Sequence, residues 1–506
     1  MDRIWLQACF DFARARGIEA SYVDALHAFA YPNPRGGPPP PPEPRWASDF
    51  EQLEAALCGE PLAAAGLRDA LIGDLSQEVD PAQAQIFARR IAAVEEQLIA
   101  LGDATGRLLR VGLRQRLAGI RAAPRPRALR VRALADFYYS FAGRWLHART
   151  GTSSAPTLAE AVASVSWTEP FAGVESAVLD GVTRGGPVHA NLLRLAPGSV
   201  RARVVDCREA VARGVPFAKS VTQRGAIAAI SGGFFLYSEP DIAPPSRRFD
   251  PVGLLVCDNE VVSPPTFSRG ALLFDDDGRW RIGRAGPECV VSQGTTSEPM
   301  GAAITRAAAE VGPDVPSVAI AAGTVVATGH ALPVPLNGFV LPSAGAWVLG
   351  QPVSFSRPTF AGRPVRDGVA GGPLLLSGGA VAIDLRAEGF WGSAPPVTFS
   401  QDETGDRNTL PRLAAGIDEA GRLLLLAVDG RNFERALGMT LREVAEVLQG
   451  LGCTVATNLD GGSSKRMVLG GRTLDLASTE VEQGTAKPGA RASVRPVHTA
   501  VVFLPA

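Results

Sequence analysis

The sequence predicts an α+β protein: an N-terminal helical domain followed by a mixed-sheet α+β domain. Three observations carry this prediction. Apolar residues recur at helical spacing through residues 1–165. From about Trp167 onward, short β-rich runs alternate with glycine and proline turns. The chain's 506 residues also exceed what one ordinary core organises. The expected domains are therefore 1–165 and 170–506.

In the first third, Trp5, Cys9 and Phe12 keep helical spacing until Gly17. Phe87, Ile91, Val94, Leu98 and Leu101 form a second amphipathic stripe behind an Asp80-Pro81 start and before Gly102. Leu109, Leu113, Leu117 and Ile120 continue the pattern, as do Leu134, Phe137, Phe141 and Trp145. A bundle follows, interrupted by an extended proline-rich loop at 36–45. Nine arginines and no acid lie between Arg107 and Arg132. No aromatic residue interleaves with them, so a solvated helix face is the expectation and a surface for an anionic ligand or partner the alternative; the helical domain as a whole offers a place for a protein partner.

In the remainder, strands are expected at 188–195, 226–230, 253–256, 271–274, 317–320 and 423–428, with helices near 206–213, 298–311 and 440–450. The last helix opens with a Thr440/Glu443 capping box and places Leu441, Val444, Leu448 and Leu451 on one face. It joins two apolar runs that end in Asp429-Gly430 and Asp460-Gly461. If those two strands lie side by side and parallel, both aspartates share one rim of the sheet. Neighbouring strands are about 4.8 Å apart, and carboxyl pairs that act on glycosidic bonds are about 5 to 9.5 Å apart, so acid/base or nucleophilic work fits. The plainer alternative is that each aspartate caps its turn.

A second theme is a doubled glycine at the end of an apolar run: Ser231-Gly-Gly-Phe234, Ala370-Gly-Gly-Pro373 and Asp460-Gly-Gly-Ser463. Such pairs admit close backbone approach and turn N–H groups toward an anion, so three loops converging on one pocket are expected.

Composition excludes several classes. The chain is 46% apolar and 20% charged with net charge −1, which points away from nucleic acid. No apolar run reaches the roughly 18 residues of a membrane span. Six scattered cysteines and five histidines support neither a disulfide framework nor a zinc centre. No cofactor is required by the sequence, although Asp and Asn oxygens leave room for calcium or magnesium. Charges run through the apolar part of the first helix, which therefore differs from a secretory signal, and a cytoplasmic protein is expected.

Val428-Asp-Gly-Arg431, Gly438-Met-Thr-Leu441 and Asn458-Leu-Asp-Gly-Gly-Ser-Ser464 together resemble the signature of the phosphodiester glycosidase family. Gly232-Gly-Phe-Phe235, Leu336-Asn-Gly-Phe-Val-Leu341, Ala370-Gly-Gly-Pro-Leu-Leu375, Pro411-Arg412 and Arg495-Pro-Val497 agree in order. The resemblance runs from about residue 170 to the end and implies hydrolysis of a sugar-1-phosphodiester to sugar and phosphomonoester. Asp460 is the first choice for the chemistry, with Asp429 positioning or assisting. Arg412, Arg431 and Arg495 are the cations for the phosphate. Asn458, Gly461, Gly462, Ser463, Ser464, Ser231, Gly232, Gly233, Phe234, Gly371 and Gly372 complete the expected binding surface. Ser231 stands where the family usually has Asn, Leu413 where Thr is usual, and Ser463 where a third Gly is common. Two alternatives stay open: a phosphodiesterase or transferase that breaks the P–O bond, and a non-catalytic module that binds a sugar phosphate.

Overall fold

The computed structural model describes residues 156–183, 186–237, 242–286, 288–305, 315–390, 410–430, 436, 438–476 and 495–506. The chain divides into two compact units, Met1–Gly151 with Glu480–Ser493 and Thr152–Thr479 with Val494–Ala506. Everything described belongs to the second. Except for residues 156–165, the expected helical domain, its proline-rich loop and its arginine run lie outside the described residues.

The elements used below are, in chain order, α1 (Leu158–Ala163), β1 (Gly186–Leu195), β2 (Val200–Asp206), α2 (Arg208–Ala212), α3 (Phe217–Thr222), β3 (Ala228–Ser231), β4 (Arg269–Asp275) and β5 (Arg363–Ala370). They continue with β6 (Leu374–Ser377), β7 (Arg412–Asp418), β8 (Leu423–Val428), α4 (Leu441–Gly450), β9 (Cys453–Leu459), β10 (Met467–Leu469) and β11 (Thr499–Pro505).

An eight-stranded sheet runs in the order 168–171, 174–183, β1, β8, β7, β9, β6, 380–381, with every neighbour antiparallel. A five-stranded sheet has the order 472–473, β10, β3, β11, β2. A six-stranded sheet is built around β5 and β4, and two three-stranded sheets complete the unit. Only four α-helices occur among the described residues, and three of them are five or six residues long. The α+β, mixed-sheet expectation is therefore overturned: the described fold is mainly β. Ten pairs of consecutive strands form antiparallel hairpins, and the other described strand pairs are antiparallel too, so few crossover helices are needed. The helix expected at 298–311 is reduced to a 3₁₀ turn at Met300–Ala302, with the residues from 306 onward outside the description.

Strand β8 shows why the site's scaffold is rigid. Its sequence is apolar throughout because both faces are covered. Leu423, Leu425 and Ala427 face a core shared with Ile230, Leu272, Val369 and Val501 from the other two large sheets. Leu424, Leu426 and Val428 face Leu441, Val444 and Leu448 of α4. The capping box of α4 forms as expected, with Glu443 N–H donating to Thr440 Oγ1 at 3.2 Å and Thr440 N–H donating to Glu443 at 2.7 Å.

The crossover β8–α4–β9 makes those two strands parallel, but they are not neighbours. β7 lies between them and is antiparallel to both. Two interstrand steps separate Asp429 from Asp460, about 10 Å of sheet. They share an edge, as the sequence implies, at about twice the expected spacing.

Candidate active site

The three glycine pairs do converge, and the packing explains the glycines. A Cβ at Gly232 would sit 2.3 Å from Thr499 Oγ1, and one at Gly233 2.2 Å from the Ala370 carbonyl oxygen. At Gly371 it would meet the Asn458 carbonyl oxygen at 2.3 Å, and at Gly461 the Pro411 carbonyl oxygen at 2.6 Å. No real Cβ fits these gaps. Gly372 and Gly462 have φ of +94° and +56°, which also favours glycine.

The expected anion-binding role of most of these N–H groups is overturned. Gly232 N–H donates to Thr499 O at 3.0 Å and Gly233 N–H to Thr499 Oγ1 at 3.1 Å. Gly371, Gly372 and Gly462 donate to Gly270, Asn458 and Pro411 at 2.8 to 2.9 Å. Adjoining strands and their ends satisfy these N–H groups, so the glycines let the loops pack close against that backbone rather than cradle a ligand.

Several other expected contacts are also structural. Asn458 donates from Nδ2 to Gly372 O at 2.8 Å. Phe234 packs edge-on against Phe390, with ring centroids 6.0 Å apart, inside a small apolar cluster. Ser231 exchanges two 3.0 Å hydrogen bonds with the Arg466 backbone, one from its N–H and one to its Oγ. The serine found where the family has asparagine thus fixes an arginine. Leu413, in place of threonine, points into the main core and is fully buried.

Asp460 follows β9 and is partly accessible. Its own N–H donates to Gly232 O at 3.1 Å, which ties it to the neighbouring glycine loop. Burial pushes its carboxyl up to about 7, against the opposing pull of a hydrogen bond from Ser464 and the positive charges of Arg495 and Arg466. A carboxyl poised at neutral pH beside cations is equipped for proton transfer. Ser463 is buried, and its Oγ has no hydrogen-bond partner among the described residues.

Asp429 has a different environment. It is fully buried and contacts the ammonium of Lys465, itself fully buried. Lys465 also donates to Asp475 at 3.2 Å and to Leu476 O at 3.4 Å, while Leu476 N–H donates to Asp429 at 3.0 Å. The second Asp429 oxygen lies 3.7 Å from His189 Nε2, whose Nδ1 pairs with Asp180 at 2.6 Å. Burial pushes the Asp429 carboxyl up, with Lys465 pulling the other way. The two aspartates thus have separate partners: Asp460 faces the arginines, and Asp429 locks the lysine beside them.

Arg412 opens β7 buried and donates from Nε to Met439 O at 3.0 Å, fastening the residues before α4. The Arg495 guanidinium lies 4.4 Å over the Tyr237 ring. Arg431 lies outside the described residues. Lys465, Arg466, Asp475 and Glu388 escaped the sequence reading. Lys465 and Arg466 follow the Asp-Gly-Gly-Ser-Ser motif directly, and that adjacency was the available signal. Glu388, fully buried, accepts the N–H groups of Gly270 and Leu374 at 2.7 Å each and so supports the Gly371-Gly372 loop. Among the described residues no cluster of His, Cys, Asp or Glu could hold a metal ion, and no helix is long and apolar enough to cross a membrane.

No curated protein matches the chain. Among solved structures, a hypothetical protein from Synechocystis is 20% identical, covering 67% of this chain and 64% of that one, with a TM-score of 0.43. The chain thus spans less than two-thirds of that relative's length. A putative exported protein from Burkholderia pseudomallei is 22% identical over 63% of this chain and 74% of that one, with a TM-score of 0.39. The catalytic domain of zebrafish N-acetylglucosamine-1-phosphodiester alpha-N-acetylglucosaminidase, auto-inhibited by its pro-peptide, is 15% identical over 70% and 87%, also at 0.39. The family model described as phosphodiester glycosidase matches residues 224–504, more than half of the 506, and takes in Asp429, Asp460, Lys465, Arg466 and Arg495. The chain belongs to the phosphodiester glycosidase family.

Proposed function

We propose that the protein hydrolyses a glycosyl phosphodiester to a sugar and a phosphomonoester, with Asp460 as the acid/base. The observation that carries this reading is the placement of the Asp460 carboxyl at the end of β9, hydrogen-bonded by Ser464 in the field of Arg466 and Arg495, where burial outweighs those groups and raises it to about 7. The diester brings one negative charge, which the two guanidinium groups balance. An anion beside Asp460 raises its proton affinity further, so the acid form predominates in the complex. Water adds its oxygen to the anomeric carbon, the C–O bond to phosphate breaks, and Asp460 protonates the departing phosphate oxygen. A proton from the attacking water then restores the acid.

Isotope labelling tests the bond that breaks. In ¹⁸O-labelled water the label is expected in the sugar; label in the phosphate instead would establish P–O cleavage and reject glycosidase chemistry. The orphan hydroxyl of Ser463 supplies a donor to the phosphate. Ser463→Ala is therefore expected to leave stability within about 0.5 kcal/mol while lowering kcat/KM by roughly 10- to 100-fold. Unchanged kcat/KM would remove Ser463 from the site.

A further inference from the structure

A cavity of about 520 Å³ lies against the same arginines. Its walls come from α2, α3 and the turn that joins them, and from the chain entering β11. Val211, Val215, Phe217 and Val497 supply the apolar surface, and Arg466, Arg495 and Asp475 the charged end. The two arginines that act on the Asp460 carboxyl therefore also line this space.

Its lining is wrong for a sugar and right for a hydrocarbon. Ser220, among the few uncharged polar side chains present, is buried and already accepts from Arg224 at 2.8 Å. Asp475 lies 3.2 Å from Lys465, whose ammonium also pairs with Asp429, and 3.9 Å from Arg466. What the cavity offers is apolar wall with net positive charge at one end, on the scale of a small-molecule pocket.

We propose that this cavity takes the aglycone of the substrate, and that the aglycone is an aliphatic chain esterified to the phosphate. The assignment rests on the hydrolytic reading above. The phosphate sits at Arg466 and Arg495, the sugar extends to Asp460, and the chain runs between α2, α3 and Val497.

A series of sugar-1-(alkyl phosphate) diesters from methyl to octyl tests it on the full-length protein. kcat/KM is expected to rise roughly two- to fourfold per added carbon until the cavity is filled, carried mainly by KM. Val211→Trp, which fills the space from a half-buried helix position, is expected to flatten that dependence. Calorimetry with octyl phosphate against methyl phosphate reads the cavity without turnover, and the octyl compound is expected to bind at least tenfold more tightly. Turnover independent of chain length, together with equal binding of the two alkyl phosphates, overturns the assignment and leaves the hydrolytic reading standing. Tighter octyl phosphate binding without turnover of any diester overturns the hydrolytic reading alone.

Discussion

Replacing Asp460 by Asn is expected to lower kcat for sugar release by about 10³-fold and to make the protein more stable at pH 8. The first effect follows from the loss of a positioned acid/base, which contributes on the order of 10² to 10⁴ in rate. Asn keeps the size and a hydrogen-bonding oxygen for Ser464, so the loop that Asp460 N–H ties to Gly232 persists. The second effect follows from linkage. The folded-state carboxyl is raised from 3.8 to about 7, so between those values the native protein keeps a proton that the unfolded chain has released. Wild-type stability therefore falls as pH rises from about 4 to about 7, then levels off. At pH 8 the penalty is about 2–4 kcal/mol, which Asn does not incur. Urea midpoints at pH 5 and pH 8 measure it. Equal midpoints for wild type and Asp460→Asn at pH 8 would mean that the carboxyl is not held in a desolvated place.

The same carboxyl sets the direction of the activity profile. The protonated form is the active one, so kcat/KM is expected to fall as pH rises through about 7. Bound diester raises the proton affinity of Asp460, so the corresponding limb in kcat lies at higher pH. Asp460→Asn should leave residual activity without this limb. Residual activity that still falls near 7 would assign the ionisation to another group.

What the sequence made legible was local. The run Leu423–Val428 reads as a strand because two opposed cores demand apolar residues at odd and even positions alike. The capping box of α4 is likewise written in four consecutive residues. The insertion of β7 between β8 and β9 left no such trace, because strand pairing across sequence depends on register and not on periodicity. That insertion doubled the distance between the two aspartates. The glycine pairs were legible as close approaches, but the approach is to neighbouring strand backbone and Thr499, which consume most of the N–H groups expected to hold a phosphate. Lys465 shows the same limit. Its partners stand 36 and 10 residues away, and only the fold brings Asp429 and Asp475 to it. The mainly β architecture was missed because short helices between strands look alike in sequence whether they cross over a sheet or decorate its edge.

Lys465→Met is expected to destabilise the protein by about 3–5 kcal/mol, the cost of leaving buried charge uncompensated. Lys465 is fully buried and joins three segments: the end of β8 through Asp429, its own loop after β9, and residues 475–476. Without the ammonium, Asp429 keeps among the described residues the Leu476 N–H and the distant His189, and Asp475 keeps the Met467 N–H at 2.6 Å and Arg466 at 3.9 Å. Removing the pull of Lys465 raises the Asp429 carboxyl further above its unfolded value. Its stability contribution then falls as pH rises through the window between those values, so the loss should be larger at pH 8 than at pH 5. Adding Asp429→Asn to Lys465→Met removes one of the stranded carboxylates and is expected to recover 1–3 kcal/mol, a coupling that a double-mutant cycle isolates. A loss below about 1 kcal/mol, equal at both pH values, would show that water reaches these carboxylates.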